Sequence, residues 1–259
     1  MSVASVDKHL PGPIVAVALH AAHRVRGQVA RRLAIAEVER LREEDPFTEL
    51  WTCVGDVRVI AGRSRFEVDL NRSREDCVYL AAEQSWGRNI WRRPPTDGST
   101  ERSRELHERF YGGLRRILDD VATRYGRFVV LDLHSYNHRR GGPDARPADP
   151  ARNPEVNLGT DDMDRDFWDP VVDRFLDRLS SADFCGRHLD VRENVRFRGA
   201  HLPHWVHESY PGVGCALALE WKKFFMDEWS GRGNPDVIVE IGRALAKTVP
   251  ALREGLERV

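Results

Sequence analysis

Phe128-Val-Val-Leu-Asp-Leu-His134, followed by Ser135-Tyr136-Asn137-His138-Arg139-Arg140-Gly141-Gly142, is the stretch that decides the fold. An apolar run continued by Leu131 and Leu133 reads as a central strand of a parallel sheet, covered on both faces. That strand then ends in polar side chains. Asp132 and His134 stand two apart, so on a strand they point to the same face. The Gly-rich, doubly basic segment behind them reads as a loop at the strand's carboxyl end, where open α/β sheets place their sites.

Two other apolar runs end in the same way. Ile14-Val-Ala-Val-Ala-Leu-His20 finishes on a histidine and Cys215-Ala-Leu-Ala-Leu-Glu220 on a glutamate. Three such ends in one α/β domain converge on one edge of a parallel sheet. Residues 57–61 form a further short strand. Residues 63–72 alternate polar and apolar, which predicts extended chain with Arg65, Glu67, Asp69 and Asn71 on one face. Its charge density suits either a solvated edge strand or the border of a polar cavity. Apolar periodicity predicts helices near 28–44, 101–125, 167–179 and 236–256. Residues 1–13, 86–100 and 137–162 read as lead and loops. His201, His204 and His207 recur at helical spacing, but Pro203 and Trp205 between them favour packing or surface roles over ligation.

The expected fold is a single α/β domain over residues 1–259, with a mixed, mostly parallel sheet and helices on both faces. Lys+Arg 40 nearly cancels Asp+Glu 41, so no global field favours nucleic acid or an anionic membrane. No run approaches a membrane span and no signal-peptide pattern opens the chain, which implies a soluble, cytoplasmic protein. Cys53, Cys77, Cys185 and Cys215 show no C-x-x-C spacing and read as reduced thiols. There is no P-loop, no G-x-G-x-x-G and no G-x-S-x-G elbow that would make Ser135 a nucleophile.

Two histidines and a carboxylate suit one divalent, zinc-like metal, with a position left for water. His20 and His134 are the histidines. Asp45 is the carboxylate candidate, and His23 and Glu49 are its rivals. Glu220 is placed to take a proton from the activated water. Asp132 can orient the His134 ring. Arg63, Arg65, Arg72, Arg139 and Arg140 flank this region and imply an anionic substrate held two-pronged. These parts describe metal-assisted hydrolysis of an amide in an anionic small molecule.

With these residues in place, the chain resembles the N-formylglutamate amidohydrolase family, itself similar to zinc carboxypeptidases and the succinylglutamate desuccinylase/aspartoacylase group. The resemblance is carried by His20, Asp45-Pro-Phe-Thr-Glu-Leu-Trp51, Ser64-Arg65 with Asp69-Leu-Asn-Arg72, Asp132-Leu-His-Ser135, Asn157-Leu-Gly-Thr160, and Ala218-Leu-Glu220 with Met226-Asp-Glu228. It implies a zinc carboxypeptidase-like fold and zinc held by His20, Asp45 and His134. Glu220 would then be the general base and Arg65 would stand near the oxyanion. Asn71 and Arg72 would bind the substrate carboxylate, joined by Arg63, Ser135 and Arg139. The implied reaction removes an N-formyl or other N-acyl group from an acidic amino acid. A carboxypeptidase-like or cell-wall amidase activity, or an inactive anion-binding protein, is the alternative. Two departures stand out: His20-Ala21-Ala22 replaces the family's H-S-G, and His23 occupies the glutamate spacing of H-x-x-E.

Overall fold

The structure, a computed structural model, describes residues 3–8 and 10–259; Met1, Ser2 and His9 of the lead segment lie outside the described residues. Its strands are β1 (Ala4–Lys8), β2 (Ile14–Ala18), β3 (Val57–Ala61), β4 (Phe128–Tyr136), β5 (Val156–Gly159), β6 (Val191–Glu193) and β7 (Gly214–Lys222). They form one mixed sheet in the order β1-β3-β2-β4-β7-β5-β6. The pairs β3–β2, β2–β4, β4–β7 and β5–β6 are parallel, while β1–β3 and β5–β7 are antiparallel. This is the expected single-domain α/β architecture.

The helices are α1 (Gly27–Ala30), α2 (Glu37–Glu43), α3 (Thr48–Trp51), α4 (Asp97–Tyr125), α5 (Arg165–Ser181), α6 (His201–Ser209), α7 (Pro235–Ala246) and α8 (Val249–Leu256). Alternate residues of the central strands face two separate cores. Val15, Val17, Phe128, Val130 and Ala216 pack with the apolar stripe of α4 and with Leu202 and Val206 of α6. Ile14, Val129, Leu131, Leu133, Cys215, Leu217 and Leu219 pack on the other face with α5, α7 and α8. Every residue of β4 is buried. At about 1.5–3 kcal/mol for each fully buried large apolar side chain, its five apolar residues offset the cost of carrying Asp132 and His134 inside.

Several expectations change where long-range contacts intervene. The helix expected over 28–44 is two helices, α1 and α2. Between them Ala34 donates to Ile90 O at 2.9 Å, Arg92 donates to Arg32 O at 2.8 Å, and Leu33 forms an isolated bridge with Trp91. Residues 63–72 are turns, not strand: Glu67 and Val68 both donate to Ser64 O, and Asp69 Oδ1 accepts from the Asn71 N–H at 3.0 Å. Phe66, Glu67, Val68, Asp69 and Leu70 are all buried, so no outward face exists. The last helix breaks after Ala246. Thr248 caps Leu245 O at 2.7 Å and Pro250 stands in the first turn of α8, where its missing N–H costs nothing. β1 and β5 arise within segments that read as lead and loop, and β6 where no element is expected. Helix α4 starts at Asp97, with Thr96 Oγ1 accepting from Ser99 N at 3.3 Å. All four cysteines are unpaired, and no helix among the described residues is long and apolar enough to cross a membrane.

Candidate active site

The carboxyl ends of the parallel strands β2, β4 and β7 meet at one place, with His20 just beyond β2 and His134 and Glu220 inside the ends of β4 and β7. His134 and Glu220 are direct partners in the β4–β7 register. The His20 and His134 rings lie 4.9 Å apart between centroids. Asp45, just beyond the C-terminus of α2, is drawn in by its N–H, which donates to His20 O at 2.9 Å. A cavity of about 380 Å³ opens here, lined among others by His20, Asp45, Arg65, Asn71, Arg72, His134, Ser135 and Glu220.

His20, Asp45 and His134 are buried and offer ligand atoms within 4.8 Å of one another. Asp45 Oδ2 sits 3.0 Å from His134 Nδ1 and 3.3 Å from His20 Nδ1, while Ser135 donates to Asp45 Oδ1 at 3.1 Å. Each ring is held from behind by a second buried carboxylate. His20 Nε2 is 2.7 Å from Asp69 Oδ1, and His134 Nε2 is 2.8 Å from Asp132 Oδ1. That is the arrangement in which a histidine turns its other nitrogen to a metal. His20 Nδ1 is buried and faces the Asp45 carboxylate. Two buried imidazoles and one carboxylate fit a divalent ion such as zinc.

Charge around the cluster is dense and mutually arranged. Burial raises Asp45, but hydrogen bonds from His134 and then His20 outweigh it and hold the carboxyl well below the usual range. Burial opposes the His134 cation, yet Asp132 and Asp45 raise that ring. Glu220 is pushed up to about 8 by burial, against the pull of His134. Among the described residues no cation lies within ion-pair distance of Glu220. Lys223 instead donates to Arg42 O at 2.6 Å and Glu44 O at 2.7 Å, closing the end of α2.

Asp69 organises the guanidinium side. Besides His20, it accepts from Arg65 at 3.0 Å and from the Tyr79 hydroxyl, and Arg72 Nε lies 3.5 Å away. Arg65 also donates to Tyr79 Oη at 2.9 Å and Glu43 O at 3.3 Å, and stands over the Trp86 ring. Arg72 donates to Gln84 O at 2.7 Å. Because residues 69–72 are turn, Asn71 and Arg72 line the same cavity, which a regular strand would have forbidden. The opposite wall is Tyr136 and Phe197; Asn157 of β5 fixes the latter by accepting from Arg196 N and Phe197 N and donating to Phe197 O at 2.7 Å.

Four expected residues stand elsewhere. His23 Nδ1 pairs with Glu44 and its Nε2 lies 3.1 Å from Glu37. Glu49 belongs to the first turn of α3. Neither joins the ligand cluster. Arg63 reaches toward Glu67 at 3.9 Å. Arg139 is exposed, with its backbone N–H on Glu228 and its carbonyl on Trp229; Arg140 lines the cavity in its place. Asp69 as a ring partner, and Glu43, Asn137, Lys223 and Trp86 as lining, lie beyond the expected set. For Asp69 the D-L-N-R run was a signal; the others carry none. His201, His204 and His207 do not ligate: His201 packs on Tyr111, His204 pairs with Glu208, and His207 Nε2 accepts from Ala216 N at 2.9 Å.

A mixed α/β sheet whose strand ends bring two histidines, a carboxylate and a glutamate under arginines defines a hydrolase class. The family model for N-formylglutamate amidohydrolase matches residues 12–223, and the chain belongs to that family. It is therefore an amidohydrolase, acting on an amide bond. Among solved structures, N-formylglutamate amidohydrolase from Ralstonia eutropha JMP134 superposes with a TM-score of 0.75 at 16% identity, covering 100% of both chains. A gene product of Agrobacterium tumefaciens gives 0.66 at 16% identity, covering 98% of this chain and 97% of its own. No curated protein matches the sequence.

Proposed function

We propose that this amidohydrolase removes an N-formyl or other N-acyl group from an acidic amino acid, with one divalent metal, zinc by its donor set, held by His20, Asp45 and His134. The observation that carries this reading is the gathering of those three buried ligands and Glu220 in one arginine-lined cavity. When bound, the ion supplies Lewis acidity, a nucleophilic water at neutral pH, and a charge that favours ionised Glu220. The chain's own groups do the rest. Hydrolysis adds one water across the acyl C–N bond, oxygen to carbon and hydrogen to nitrogen. Glu220, half-buried on the cavity wall, accepts the water's proton and returns it to the leaving nitrogen. Arg72 and Asn71 grip the substrate carboxylate, and Arg65, fixed by Asp69 and Tyr79, faces the charge that develops on the acyl oxygen. Asp69 and Asp132 hold the two rings in register. Four unpaired thiols suit a reducing, cytoplasmic setting.

The test is a panel of N-formyl, N-acetyl and N-succinyl amino acids beside short peptides, assayed with zinc present. Turnover confined to N-acylated acidic amino acids supports the reading. Preference for peptides points to a carboxypeptidase-like activity, and binding without turnover to an inactive anion-binding protein.

A further inference from the structure

Asn137, the first residue beyond β4, carries an amide whose two ends are treated unequally. Its Nδ2 donates to Glu43 Oε2 at 3.1 Å, while its Oδ1 is buried and has no hydrogen-bond partner. Chemistry fixes that orientation. A carboxylate oxygen only accepts, so the NH₂ end must face Glu43 and the carbonyl end must face away. Glu43 is itself held by guanidinium groups, with Arg88 at 3.1 Å, Arg42 at 3.5 Å and Arg140 at 3.6 Å. Asn137 is 3% exposed, yet it lines the same cavity as His20, Asp45, His134 and Glu220.

The other neutral side-chain oxygens on that cavity are already engaged. Asn71 Oδ1 accepts the Leu202 N–H at 3.0 Å. The Tyr136 hydroxyl donates to Pro154 O, and the Ser135 hydroxyl donates to Asp45 Oδ1 at 3.1 Å. Among the described residues lining the cavity, Asn137 Oδ1 is the amide acceptor left without a donor. Buried acceptors without donors are costly and uncommon, and one whose residue lines a ligand cavity is accounted for by a donor that the ligand brings. An N-acyl acidic amino acid with both carboxylates ionised has one donor to bring, the N–H of the amide that is cut. Its carboxylates and acyl oxygen are acceptors, suited to the arginines and the metal.

We propose that Asn137 Oδ1 accepts the hydrogen bond of the scissile amide N–H and so selects amides over esters. This rests on the N-acyl amino acid reading above. The bond survives cleavage, because the departing amine keeps an N–H where the amide had one. An ester oxygen offers none and leaves the acceptor unpaired, which is how a site built around a hydrogen bond rejects an analogue that lacks it.

The experiment pairs an N-formyl amino acid with the O-formyl 2-hydroxy acid of the same skeleton, for the zinc-loaded wild type and for Asn137→Ala. The substitution should lower kcat/KM for the amide roughly tenfold, the scale of one neutral hydrogen bond, and leave the ester within about twofold. Asn137→Ser, whose hydroxyl can still donate to Glu43, should change the amide-to-ester ratio in the same direction and serves if the alanine variant does not fold. Equal losses on both compounds, or no loss on the amide, overturn the role of Asn137 and leave the hydrolase reading standing. A wild type that turns over neither compound overturns the hydrolase reading, and this inference falls with it.

Discussion

Strands β2, β4 and β7 have two ends, and a cavity lies at each. At the amino ends, Pro11, Gly12, Pro13, Gly126, Arg127, Gly212 and Val213 border about 580 Å³; at the carboxyl ends the cavity is about 380 Å³. The larger one has its polar groups satisfied. Asp56, buried beside it, accepts from Arg253 at 2.5 Å and from Ile14 N at 3.0 Å, and Arg127 donates to Gly212 O at 3.1 Å. The smaller one is lined by Asn137, whose buried Oδ1 has no partner. Two carboxylates sharing two imidazoles also crowd into it. Size does not mark the working end of this sheet. The gathering of buried imidazoles and carboxylates on one cavity does, because their burial is costly unless something completes them.

Substitutions at the two ends should separate function from stability. The largest effect is expected at the proposed ligands: His20→Ala and His134→Ala should each weaken zinc by more than the 10–100-fold typical of losing a group behind a ligand. Metal analysis after gel filtration checks this, and full zinc retention in both variants would remove the cluster from the chemistry. Glu220→Gln should lower kcat by 10²–10⁴-fold, the usual contribution of a general base, with zinc content and melting temperature kept. Near-normal turnover at full zinc occupancy would take Glu220 out of the mechanism. Arg72→Lys should raise KM for a carboxylate substrate several-fold, since an ammonium cannot reproduce a two-pronged grip. Equal activity on a neutral analogue without the carboxylate would undo that argument.

At the amino end the expected changes are in stability alone. A Cβ at Gly12 would run into the Asp56 carboxylate. Gly12→Ala should therefore cost about 1–3 kcal/mol, read as a lower melting temperature at unchanged kcat. A fall in kcat at unchanged melting temperature would instead give this end a functional part. The smallest effect belongs to Arg253→Ala. Its side chain is 42% exposed, so solvent screening should hold the loss to about 1 kcal/mol or less.

Much of this was legible in the chain because the central strands are apolar on both faces and their polar ends are conspicuous. His20, His134 and Glu220 announce themselves by ending such runs, and β3 appears at its expected bounds. Apart from the helix ends set locally by Thr96, Thr248 and Pro250, the departures share one cause, contacts distant in sequence. Residues 28–44 obey a helical period until Leu33 meets Trp91. Residues 63–72 alternate like a strand but fold as turns around Asp69, whose partner His20 is 49 residues away. β5 hides in a loop-like segment because its neighbours β7 and β6 come later in the chain. Asn137 meets Glu43 across 94 residues, and no local pattern encodes an acceptor left without a donor.

Whether the carboxyl-end cluster works through one metal ion is decided by zinc titration of chelator-stripped protein, followed by hydrolysis of N-formylglutamate. The stripped protein should show no turnover, with recovery complete at one equivalent of zinc and no recovery in His134→Ala. Undiminished turnover in protein shown to be metal-free would contradict a role for the ion.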